Sequence, residues 1–151
     1  MNTARKRDHR RTRLGVTAAL VALSATVLGA AGASAAGTAA PQSRQIASSV
    51  LGGDYKITLT ALRSAEDEYA ASVRLQVFTR TGGAWKETDR VTVGDPEGWF
   101  WYPLTGKGAV CAFSTASTEP APLTVSLLLT PSLGCSDPAH YVVKDGRVFA
   151  G

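Results

Sequence analysis

From residue 55 onward the chain alternates. Tyr55, Ile57, Leu59 and Ala61 are separated by Lys56, Thr58 and Thr60, the period-two pattern of a strand with one buried face. Val73, Leu75 and Val77 repeat it around Arg74 and Gln76. Thr81-Gly82-Gly83-Ala84 then supplies a turn, because glycine accepts positive φ, and a return strand is expected from Trp85 to Val93. Asp95-Pro96-Glu97-Gly98 is a further turn signal. Residues 99–104, 109–115 and 123–130 read as three more strands. Gly106-Lys107-Gly108 separates the first two, and Thr118-Glu119-Pro120-Ala121-Pro122, whose prolines resist pairing, separates the last two. Leu123, Val125, Leu127 and Leu129 form the strongest apolar stripe, which Pro131 ends. Residues 141–144, Asp145-Gly146 and 147–149 predict a closing hairpin, since Asp-Gly suits a tight turn with positive φ.

The stretch before this pattern is different. Residues 36–53 show no apolar period and read as a flexible tether that ends at Gly52-Gly53. Residues 64–68 form an acidic break, in which Ser64 and Asp67 would cap an alternative short helix through residue 72. About eight short strands, spaced by turn signals and free of long helical periods, predict an all-β fold over 54–151. A small antiparallel β-sandwich is the expectation, with a small β-barrel as the alternative.

Residues 1–35 belong to no domain in this reading. Arg5, Lys6, Arg7, Arg10, Arg11 and Arg13 make a basic head. An uncharged run rich in Ala, Val and Leu follows, and Ala33-Ser34-Ala35 closes it. This is the layout of a signal peptide cut between Ala35 and Ala36. Its large aliphatic residues run only from Leu14 to Leu28, shorter than the about 20 apolar residues of a spanning helix. A secreted, extracellular protein is therefore expected, with no membrane association after cleavage. Arg10-Arg11 also fits a twin-arginine signal, although the general secretory route is favoured. The Ala-rich leader resembles in style those of actinobacterial secreted proteins, a likeness that identifies no family.

Cleavage changes the charge. The whole chain carries 16 Lys and Arg against 12 acids. The leader holds six of the former and one of the latter, so ten and eleven remain. The basic balance that would suggest nucleic acid is thus discarded with the leader, and the remaining cations look scattered along the sequence. The expected partner is an unidentified extracellular ligand or protein, and no nucleic acid. The pattern sets no oligomeric state. Cys111 and Cys135 are the only cysteines, and in an exported chain two such residues pair as a disulfide.

Chemistry-bearing motifs are few. Trp99-Phe100-Trp101-Tyr102 is aromatic at every position. Read as a strand, it puts Trp99 and Trp101 on one side and Phe100 and Tyr102 on the other. Such a strand fills a core, or it presents Trp99, Trp101 and Tyr102 as a ligand-binding face for a carbohydrate or another small ligand. The loop Pro131-Ser132-Leu133-Gly134-Cys135 is stiffened by proline and by the expected disulfide. With Ser132 and Leu133 at its tip it suits a protease inhibitor, whose affinity gains from pre-organisation. His140 is the only histidine beyond the leader. No G-x-S-x-G elbow, calcium loop, metal-ligand spacing or nucleotide fingerprint accompanies it. The acid clusters at 66–68 and 95–97 fall on expected turns, where carboxylates are ordinary solvated residues. Neither a metal nor a cofactor is expected, and a non-enzymatic role in extracellular recognition or structure is.

Overall fold

The computed structural model describes residues 41–151. The basic head, the apolar run and the Ala35–Ala36 cleavage point lie outside these residues. Among the described residues the elements are β1 (Ser43–Leu51), β2 (Tyr55–Arg63), β3 (Ala70–Thr81), β4 (Ala84–Thr92), β5 (Trp99–Phe100), α1 (Trp101–Thr105), β6 (Val110–Thr115), β7 (Ala121–Thr130), β8 (Gly134–Cys135), β9 (Ala139–Lys144) and β10 (Arg147–Ala150). They build two antiparallel sheets. In the first the order is β1-β2-β3-β4, with β5 also paired to β3. In the second it is β10-β9-β7-β6, with β8 also paired to β7. Neither sheet closes into a barrel, so the β-sandwich is the fold.

Alternation creates the core. Ile57, Leu59 and Ala61 of β2 and Val73, Leu75 and Val77 of β3 face Leu123, Val125 and Leu127 of β7 and Val143 of β9, and none of these is more than 1% exposed. Ladder pairing puts like beside like: Ile57 lies opposite Val77 and Leu59 opposite Leu75. A slip of one residue would turn these side chains to solvent. Two hairpins form where the sequence places them. Gly82 and Gly83, at φ 59° and 85°, join β3 to β4. Asp145 and Gly146, at φ 50° and 72°, join β9 to β10.

Four local expectations change. Residues 43–51 are not tether but β1, an edge strand paired along its length with β2. Its seven residues up to Ser49 include only one large aliphatic, Ile46, because an edge strand over the rim of a core needs little apolar surface. Residues 99–104 are not one strand. Pro103 has no N–H to give to a ladder, while Trp101 and Leu104, three apart, are both buried, which is helical spacing. The chain therefore pairs Trp99 and Phe100 with Ala71 and Ala70, then winds into α1. The two-residue β8 also went unread, being too short to show a period. Finally, no helix forms after Ser64. Its Oγ accepts from the N–H groups of Glu66 and Asp67, and a tight turn follows in which the Ala70 N–H reaches the Asp67 carbonyl at 3.1 Å.

Both long rims of the sandwich are stitched by polar contacts between sheets. On one, the Ser49 and Thr115 hydroxyls lie 3.1 Å apart, linking β1 to β6. On the other, β4 carries a bulge that sets Asp89 opposite Val77. The Asp89 carboxylate accepts from the Val148 N–H of β10 at 2.9 Å, and the Thr88 hydroxyl donates to the Gly146 carbonyl at 2.8 Å. Cys111 of β6 and Cys135 of β8 form the expected disulfide, with Cα atoms 6.2 Å apart. It ties together two strands that each pair with β7.

Candidate functional site

Trp99 and Trp101 are core residues, 6% and 9% exposed. The Trp99 indole N–H donates to the Val93 carbonyl at 2.7 Å, and its ring lies against Gly94. A Cβ at Gly94 would sit 3.1 Å from that ring, and its φ of +67° also favours glycine. The loop 94–98 thus leaves the first sheet at β4 and returns at β5 with the indole folded beneath it. Neither tryptophan offers a face to a ligand. Of the three aromatic residues singled out, only Tyr102 reaches solvent, at 55%.

Tyr102 is not alone. Tyr69, 59% exposed, comes from the acidic turn before β3, and the two rings have centroids 5.9 Å apart, tilted by 54°. Arg63, the last residue of β2, anchors Tyr102. Its guanidinium lies over the Trp101 and Tyr102 rings at 5.8 and 5.7 Å. It also donates to the Tyr102 hydroxyl, the Glu68 carbonyl and the Gln42 side chain. A planar, multiply bonded guanidinium is a rigid support, so Tyr102 is held in place although exposed, and the Tyr69 ring lies beside it. From Tyr102 a shallow groove of about 310 Å³ runs onward, lined by Pro103, Gly106, Lys107, Leu128 and Pro131. Its walls are mostly apolar, with the Lys107 charge at the rim.

Pro131 joins this groove to the second sequence candidate. Between β7 and β8 the loop curls as a tight turn: the Leu133 N–H donates to the Thr130 hydroxyl at 3.0 Å, and the Thr130 and Ser132 hydroxyls lie 3.3 Å apart. Leu133 projects outward, 69% exposed. The two separate sequence candidates therefore meet at one end of the sandwich. Tyr69, Arg63 and Lys107 were missed. Tyr69 carried one signal, a lone aromatic among acids, whereas Arg63 and Lys107 depended on pairing across the fold.

His140 stands elsewhere, exposed on β9 opposite Thr124 of β7, whose hydroxyl lies 3.2 Å from its Nδ1. A smaller depression of about 140 Å³ lies between the β1–β2 turn and residues 117–119. There partial burial, and then the neighbouring Glu119 carboxylate, raise Tyr55 above the usual phenol value. Burial likewise raises Tyr141. Among the described residues no three metal-ligating side chains gather, no buried side-chain polar atom lacks a hydrogen-bond partner, and no helix is long and apolar enough to cross a membrane.

Fold and site together define a disulfide-bonded antiparallel β-sandwich with an aromatic end. Comparison with protein families, with characterised proteins and with solved structures returns no match to this chain.

Proposed function

We propose that this protein is an exported, non-catalytic recognition module that meets its ligand with the α1 end of the sandwich. The observation that carries the reading is the tyrosine pair. Tyr69 and Tyr102 stay in solvent at 59% and 55% while every tryptophan of the same neighbourhood is buried, and Arg63 holds Tyr102 beside an apolar groove. Rigid, amphipathic rings beside a concave apolar surface are what small-ligand and peptide sites are made of. The 54° tilt makes a notch rather than a flat stacking platform, which suits a protruding ring or side chain better than the plane of a long glycan. The basic leader followed by Ala33-Ser34-Ala35 supports export.

The test is a binding screen on arrays of oligosaccharides and of peptides, run with the wild-type protein and with Tyr69→Ala and Tyr102→Ala. Ligands retained by the wild type and lost by both variants at unchanged melting temperature support the reading. Retention by both variants overturns it.

A second reading, protease inhibition by the loop through Ser132 and Leu133, has one observation in its favour. Leu133 is the most exposed large hydrophobic side chain among the described residues. Its backbone, however, is bent into a turn and bonded to Thr130, unlike the extended segment a protease groove accepts. Assays against chymotrypsin-like and subtilisin-like enzymes decide it: absence of inhibition at large excess removes this reading.

A further inference from the structure

The cations beyond the leader are isolated in the sequence but not in the fold. The register of the first sheet places Lys56 opposite Phe78, Gln76 opposite Arg90 and Arg80 opposite Trp85, with Arg74 opposite Thr92, all on the face turned away from the core. Four of the ten Lys and Arg of residues 41–151 thus share one sheet face with a single acid, Glu87. The other six cations and ten acids of this span lie elsewhere. Glu87 is already engaged by Arg90 and Gln76. Among the described residues no ion pair involves Lys56, Arg74 or Arg80. Along β3 the positions 74, 76, 78 and 80 each carry or adjoin one cation, a row repeating about every 6.7 Å at the rise of a strand.

We propose that this outer face binds an acidic polysaccharide, a chain of carboxylated sugars laid along β3. Repeated cations at fixed spacing complement repeated carboxylates, with each arginine fork able to donate a pair of hydrogen bonds to one carboxylate. Thr60, Ser72, Gln76 and Thr92 share the face and offer hydroxyl and amide groups to sugar hydroxyls. The two rings on this face are already covered: Lys56 lies over Phe78 at 5.6 Å and Arg80 over Trp85 at 5.7 Å. Binding of single-stranded nucleic acid draws on open aromatic faces for base stacking, so the engaged rings favour the glycan. This surface is separate from the tyrosine notch and does not depend on it.

The test measures affinity for sodium alginate, a polyuronate, using the full chain so that the leader is constant throughout. The triple variant Lys56→Gln/Arg74→Gln/Arg80→Gln is compared with Lys86→Gln/Lys144→Gln/Arg147→Gln, which removes the same charge from positions outside this face and outside the tyrosine notch. The face variant is expected to bind at least about tenfold more weakly and the control variant within about twofold, with wild-type affinity falling as salt rises. Arg74→Gln alone, a single change at a half-buried position with no ion pair among the described residues, keeps the comparison valid should the triple variant melt early. Equal weakening by both triple variants overturns the proposal, as does absence of wild-type binding. Tighter binding of oligo-deoxythymidine than of alginate at the same salt also overturns it, in favour of nucleic acid.

Discussion

At the scale of single residues, the aromatic run is where local pattern and tertiary structure part. Alternation correctly separated Trp99 and Trp101 from Phe100 and Tyr102: the first two are buried and the last two exposed. What alternation missed was the winding after Phe100, because the Pro103 signal and the Trp101–Leu104 spacing compete with a stronger aromatic pattern. The consequence is measurable. Trp99→Ala removes a buried indole and leaves the Val93 carbonyl without its donor, and the cost is expected at about 3–5 kcal/mol. Tyr69→Ala removes an exposed ring and is expected to change stability by less than about 1 kcal/mol. Urea melts of the two variants separate core from contact surface, and comparable losses would place Tyr69 in the core with Trp99. The tyrosine notch itself was only half legible. Tyr102 stood out as part of a motif, but Tyr69 and Arg63 join it only once β2 and β3 bring their ends to α1.

At the scale of elements, the central strands were readable from their apolar stripes and the edge strands β4, β6 and β10 from the turns that bound them, whereas the edge strand β1 was not. β2, β3 and β7 each bury a full stripe and so write period two into the sequence. β1 has one side of its backbone unpaired and few core contacts to make, and its Ser, Arg and Gln residues look like linker. Removing residues 1–53 tests the difference. A tether would leave stability unchanged. Deleting β1 exposes the edge of β2 and uncovers the core beside Leu51, which is 4% exposed, so the shortened chain is expected to melt lower and to aggregate through the bared edge. The disulfide acts at the same scale. It closes a loop of 24 residues in the unfolded chain, a constraint of roughly 3 kcal/mol in the chain-entropy account. Cys111→Ser/Cys135→Ser is expected to lower the unfolding free energy by that much and the urea midpoint accordingly, with the sheet signature in circular dichroism retained below it. An unchanged midpoint would mean that β6 and β8 are fixed by β7 alone.

At the scale of the whole molecule, two stacked sheets need something beyond apolar contact to hold their rims together, and here one rim depends on a charge. Asp89 occupies an inward-facing position of β4, a place where an apolar residue would be expected. It is tolerated because its carboxylate accepts the Val148 N–H across the sandwich and the Arg90 N–H beside it. The Val148 bond is the main reason its pKa lies below the usual aspartate value, with desolvation opposing and Arg147 assisting. A carboxyl whose folded pKa is depressed stabilises fully above its unfolded pKa of about 3.9, and the contribution is lost as pH falls through the lower folded value. Because Asp89 is only partly buried, the bond is worth about 1 kcal/mol at neutral pH, below the range for charged hydrogen bonds in dry interiors. Asp89→Ala is therefore expected to cost about that much at pH 7, and the gap between variant and wild type should narrow steadily below about pH 4. Asp89→Asn keeps an acceptor of the same shape without the titration, so its stability should fall less steeply with acid than the wild type's. Thermal melts from pH 7 to pH 2 read both effects. A gap between wild type and Asp89→Ala that stays constant over that range would show that the rim is held by packing of Val148, and that the charge at position 89 is incidental to how the two sheets are joined.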